Sequence, residues 1–134
     1  MIMMSVDPGG TTGIALFEND NLVDAITVPG SDHDKLANVF MHWIPNVLVI
    51  EDFIGNGPRS VEAISTLKLI GMFEGFSILK GTRFVVQQPQ KRKPYLLRAS
   101  TILTKRFESP VRIHAVDAIA HGLAYLKELD RVSF

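Results

Sequence analysis

Val6-Asp7-Pro8-Gly9-Gly10-Thr11-Thr12-Gly13 lies between two apolar runs, Ile2 to Val6 ahead of it and Ile14 to Phe17 behind it. The flanking runs read as strands. The eight residues between them hold an acid, a proline and three glycines. Asp7 therefore stands where a strand leaves the core and a flexible turn begins. An acid at that edge is costly unless it meets solvent, a metal or a polar ligand. Read alone, the glycines also fit a phosphate cradle, but no Gly-Lys-Ser/Thr sequence closes the loop, so a P-loop is excluded.

Outward from that stretch, Gly13–Glu18 and Leu22–Val28 continue as strands. Asn19-Asp20-Asn21 between them tolerates positive φ and predicts a hairpin. Ser31 or Asp32 is placed to cap a helix from about His33 to Trp43, with Leu36, Val39, Phe40 and Trp43 on one stripe. Pro45-Asn46 ends it. Val47-Leu48-Val49-Ile50 is a continuous aliphatic run, as expected of a strand covered on both faces, and it stops abruptly at Glu51-Asp52.

A glycine- and proline-bearing loop, Phe53 to Pro58, leads to a long helical stretch from about Ser60 to Leu79. That helix is apolar on more than one side, which suits a central buried helix or half of a dimer interface. Arg83–Val86 reads as a fifth strand, closed by Gln87-Gln88-Pro89. Lys91 to Phe107 is expected to be helical, with Pro94 tolerable in the first turn. A last helix runs from about His114 to Leu129. The order β-β-β-α-β-α-β-α-α predicts an α/β fold, a five-stranded mixed sheet flanked by helices. At 134 residues the chain reads as one domain, 1–134.

Composition narrows the function classes. Hydrophobic content of 46% supports a filled core rather than disorder. No apolar run approaches the ~20 residues that span a bilayer, and the N-terminus carries no signal-peptide pattern, so a cytoplasmic setting without membrane attachment is expected. Zero cysteines exclude a disulfide framework, a thiol nucleophile and a thiolate zinc site. Net charge is zero, yet no acid falls between Glu74 and Glu108, an interval holding eight of the fourteen Lys and Arg. A surface that tracks phosphates is the favoured reading, since ordinary surfaces mix signs.

Asp7 and Glu51 at two strand ends become informative if the strands adjoin, because ligands of open α/β sheets collect at carboxyl ends of strands. The last helix adds His114, Asp117 and His121, which share a face at i, i+3 and i+7. His121, two turns along, reads as structural. Three oxygen donors and an imidazole suit magnesium or manganese. Two such ions about 4 Å apart activate an attacking water and stabilise a leaving oxygen of a phosphodiester.

Val6-Asp7-Pro8-Gly9 with Thr12-Gly13, Ile50-Glu51 at a strand end, and His114-Ala115-Val116-Asp117-Ala118 on the final helix resemble the RuvC-type Holliday junction resolvases of the RNase H-like superfamily. The resemblance spans essentially the whole chain, and its size matches the compact versions encoded by bacteriophages. It implies an RNase H-like fold and a magnesium-dependent endonuclease, with manganese substituting and two ions per site. By that resemblance Asp7, Glu51 and Asp117 are metal-binding carboxylates, and His114 takes the place usually held by a further aspartate. All four would be catalytic. It further implies a homodimer paired through the helix around Ile64 to Phe76, nicking opposing strands of a four-way DNA junction in the cytoplasm (the host's, for a phage-encoded chain). Lys91, Arg92, Lys93, Arg98, Lys105 and Arg106 are the candidates to grip the DNA backbone.

Two other readings stay open. One keeps the fold and changes the substrate to RNA of the ribosomal type. The other is a non-catalytic dimeric nucleic-acid-binding protein.

Overall fold

The computed structural model describes residues 1–53, 61–106 and 113–131, without the side chains of Glu62 and Arg106. Strands β1 (Ile2–Asp7), β2 (Thr11–Glu18) and β3 (Asn21–Pro29) form an antiparallel meander. Asn19 and Asp20 take φ of 51° and 68°, the left-handed pair that lets a two-residue turn follow the strand twist, as their residue types predict. Helix α1 (His33–Trp43) follows, its first turn capped by the Asp32 carboxylate, which accepts from the Lys35 N–H at 3.1 Å. Strand β4 (Val47–Glu51) then adds parallel to β1, helix α2 (Val61–Lys80) crosses over, and β5 (Arg83–Gln87) adds parallel to β4. The sheet order is β3-β2-β1-β4-β5.

The stretch after β5 differs from the expected single helix. It divides into a 3-10 segment, Pro89–Tyr95, and helix α3 (Leu96–Arg106). Pro94 lacks an N–H, and its ring crowds the carbonyl four residues back, so regular α-helix begins only beyond it. Helix α4 (Ile113–Glu128) completes the described fold. The loop read from Phe53 to Pro58 lies, past Phe53, outside the described residues, as does Phe107.

Alternation along the strands decides what each face holds. Met4, Val6, Leu48 and Ile50 point toward α1 and α2, where they meet Leu36, Phe40, Leu69 and Phe73. Met3, Val47 and Val49 point the other way, against Ala118, Ile119 and Leu123 of α4. Each large side chain removed from water in these two layers contributes about 1.5–3 kcal/mol. Carrying the alternation one step further puts Asp7 and Glu51 on the α4 side. Both acids therefore face the same helix for the reason that Val6 and Ile50 face the opposite layer.

Helix α4 comes unusually close to the sheet because small residues meet there. A Cβ added at Gly13 would lie 1.9 Å from the His114 carbonyl oxygen, and one at Gly122 would lie 2.4 Å from the Phe17 ring. The buried Ser5 hydroxyl donates to the Ala118 carbonyl at 2.5 Å. The first two turns of α4 are thereby pinned over the ends of β1 and β4.

Helix α2 is not a central buried helix. Leu69 and Phe73 are buried, whereas Val61, Leu67, Ile78 and Leu79 are 53–81% exposed. No described helix is long and apolar enough to cross a membrane.

Candidate functional site

The register of the sheet assembles the site. Val6 pairs with Ile50 and Glu51 pairs with Gln87, so Asp7, Glu51 and Gln87 end three adjacent parallel strands on one rung. Helix α4 lies across that rung and supplies His114, Asp117 and His121. The 3-10 segment after β5 supplies Arg92. An open cleft of about 360 Å³ is lined by Asp7, Glu51, Arg92, His114 and Asp117.

Three of the four predicted acid-and-histidine residues share one centre. Asp7, His114 and Asp117 each place a donor atom so that all three lie within 4.8 Å of one another. His114 Nδ1 is 2.9 Å from Asp7 Oδ2, with the imidazole 44% exposed and the carboxylate 10%. Glu51 sits beside Asp7 but is turned toward Arg92 and His121. Arg92 Nη1 donates to Glu51 Oε1 and to the Pro89 carbonyl, the latter at 3.1 Å, while Arg92 Nε is 3.4 Å from Asp117 Oδ1. Glu51 Oε2 lies 3.5 Å from His121 Nε2.

Burial and crowding split the behaviour of the acids. Asp7 is pushed up to about 9, first by desolvation and then by its hydrogen bond to Glu51 and the charges of Glu51 and Asp117. For Glu51 burial also opposes ionisation, but the adjacent His121 ring, a hydrogen bond from Asp7 and the positive charge of Arg92 outweigh it, holding this carboxyl low. Asp117 is raised, chiefly by burial, with Arg92 opposing. The cluster thus keeps a proton on Asp7 because it is withdrawn from water and would otherwise carry more negative charge than Arg92 neutralises. That excess is what a hard divalent cation with oxygen ligands relieves, and the donor set of two carboxylates and an imidazole fits one.

The basic residues disperse. Arg92 enters the carboxylate cluster. Lys91 pairs with Glu128 of α4 at the surface. Lys93, Arg98 and Lys105 are exposed, and the Arg106 side chain is outside the description. Nothing in the run Lys91-Arg92-Lys93 distinguishes Arg92 in sequence, because a 3-10 turn sets its direction. Gln87, in sequence, does no more than close a strand. Its place on the rung beside Glu51 follows from inter-strand register, which a single sequence does not display.

A five-stranded mixed sheet in this order, with helices on both faces and acids at the adjoining ends of β1 and β4, defines an RNase H-like fold. Among solved structures the chain is similar to Thermus thermophilus RuvC in complex with a Holliday junction substrate, with a TM-score of 0.76 and 18% identity over 98% of this chain and 97% of that one. Fowlpox virus resolvase, solved with its substrate Holliday junction DNA, gives 0.68 at 20% identity, covering 96% and 99%. The yeast mitochondrial Holliday junction resolvase gives 0.66 at 10% identity, covering 96% and 79%. No protein-family model and no curated protein sequence matches the chain. The fold is that of the RuvC-type resolvases, as the three sequence motifs imply.

Proposed function

We propose that the protein is a divalent-metal-dependent endonuclease that cuts branched DNA, with the four-way junction as its substrate and paired nicks from a homodimer as its outcome. The observation that carries this reading is the convergence of Asp7, Glu51, His114 and Asp117 at the carboxyl ends of β1 and β4 and the start of α4. The fold likeness to three resolvases, two of them solved with junction DNA, supports the choice of substrate.

Asp7, His114 and Asp117 would hold the metal, with Glu51 joining from across Asp7, and magnesium or manganese suits these donors. When bound, the metal supplies Lewis acidity and a water acidified toward hydroxide. His114, the most exposed of the four, is placed to exchange a proton with solvent. Arg92, anchored by the Pro89 carbonyl, is the cation nearest the place where a phosphate would enter the cleft. Lys93, Arg98 and Lys105, from the same interval as Lys91 and Arg106, would follow the DNA backbone beyond it. The exposed Ile64 and Leu67 of α2 would pair two copies.

A gel assay of four-way junction, plain duplex and RNA substrates, each with and without magnesium, tests the reading. Junction cleavage that requires the metal is expected. Asp7→Asn is expected to lose cleavage and retain junction binding. RNA cut in preference to the junction would move the assignment to an RNA-processing nuclease.

A further inference from the structure

His121 is fully buried, yet it lies between two polar side chains, Gln87 on one side and Glu51 on the other. Its Nδ1 is 2.6 Å from Gln87 Oε1, and its Nε2 is 3.5 Å from Glu51 Oε2. With the amide so oriented, two buried nitrogens, Gln87 Nε2 and His121 Nε2, have no hydrogen-bond partner among the described residues. Amide oxygen and nitrogen are nearly identical in size, so the hydrogen-bond network must choose between them. Turning the Gln87 amide by 180° puts its NH₂ against Nδ1, which then accepts. The imidazole proton moves to Nε2 and points at the Glu51 carboxylate. A buried N–H without a partner is rarer than an under-used carbonyl oxygen, and the turned amide removes the orphaned N–H.

We infer that Gln87 and His121 form a relay of two hydrogen bonds that fixes the rotamer of Glu51, with His121 donating from Nε2 to Glu51 and accepting at Nδ1 from the Gln87 amide. His121 is then a positioning residue that acts through Glu51. The relay joins β5, α4 and β4 at one rung, so the third acid is oriented from behind while its other oxygen faces Arg92. Histidine can do this and a neutral aliphatic of similar volume cannot, because the job needs a donor and an acceptor on opposite edges of one ring. The consequence for metal affinity rests on the metal-centre reading above, whereas the relay itself does not.

The first test needs only metal-free, nitrogen-15-labelled wild-type protein. A long-range proton–nitrogen spectrum is expected to show His121 with an unprotonated Nδ1 and a protonated Nε2, and a protonated Nδ1 overturns the relay. The second test compares manganese dissociation constants by calorimetry. His121→Gln retains an amide N–H near the place of Nε2, and His121→Met removes it at similar volume. The Met variant is expected to bind ten- to a hundred-fold more weakly, and the Gln variant to recover most of that loss. A folded Met variant, judged by its amide spectrum, that binds manganese as tightly as wild type overturns the positioning role. Wild-type protein that binds no manganese would sink the metal-centre reading, and the tautomer would still report on the relay.

Discussion

Replacing Asp7 with asparagine is expected to stabilise the metal-free protein while removing its response to metal. Asp7 titrates at about 9 in the fold against an ordinary 3.8, mainly because it is buried and secondarily because Glu51 is beside it. A raised acid contributes its full share below the unfolded value and loses it as pH climbs toward the folded value. Between about pH 4 and pH 9 the contribution of Asp7 to the stability of the metal-free chain therefore falls with each step up in pH. At about 1.4 kcal/mol per pH unit, keeping Asp7 protonated at pH 7 costs about 4 kcal/mol. Glu51 recovers much of that through its own lowered titration, which contributes above the ordinary carboxyl range and is lost only as pH falls toward about 2. Because the two groups share their interaction and titrate as a pair, removing Asp7 recovers only part of that cost.

The replacement amide has no proton to hold and still donates an N–H to Glu51. The gain expected for Asp7→Asn is therefore less than about 4 kcal/mol at pH 7, smaller at pH 5 and larger at pH 8. For 134 residues each kcal/mol moves the midpoint about 3–4 °C, so melting in EDTA is expected several degrees higher at pH 7. Manganese at a hundred times its dissociation constant adds about 2.7 kcal/mol to the wild type and nothing to the variant. The decisive result is the pH dependence of the gap. A variant that melts below wild type in EDTA at pH 8, or a gap unchanged from pH 5 to pH 8, would refute the account of Asp7 as a strained acid awaiting a cation.

Three further substitutions test other parts of the arrangement. Arg92→Gln removes the counter-charge shared by Glu51 and Asp117, so metal-free stability is expected to fall by about 2–4 kcal/mol while manganese binds more tightly; calorimetry showing unchanged or weaker binding would contradict this. Gly13→Ala drives a Cβ into the His114 carbonyl, a backbone atom that moves only if α4 moves, and a loss of at least about 1–3 kcal/mol with weakened metal binding is expected. Denaturant unfolding within about 0.5 kcal/mol of wild type would show that the close approach is not required. Leu67→Asp places a charge on the exposed apolar side of α2, and sedimentation is expected to show a dimer becoming a monomer with the fold intact; a wild-type chain that already sediments as a monomer at micromolar concentration removes the dimer.

The fold was legible where a local rule decided it. The apolar runs of β1 and β4, the Asn19-Asp20 turn and the Asp32 cap each follow from a few neighbouring residues, and each is observed where the rule puts it. Adjacent ends for Asp7 and Glu51 needed one assumption, that β1 and β4 pair, and the parallel register supplies it. Legibility stopped where orientation depends on another element. Arg92 and its two basic neighbours are equivalent in sequence, and only the 3-10 geometry imposed around Pro94 turns one of them inward.

His121 marks the same boundary from the other side. Its spacing from Asp117 places it on the helix face that looks toward the sheet, and a polar group on such a face needs partners. The sequence states the need but not the partner, because Gln87 arrives through a strand pairing with no local signature. A buried polar residue that local reasoning leaves without a partner is thus a pointer to a long-range contact. Here that contact ends on Glu51, the acid whose charge the rest of the cluster has to accommodate.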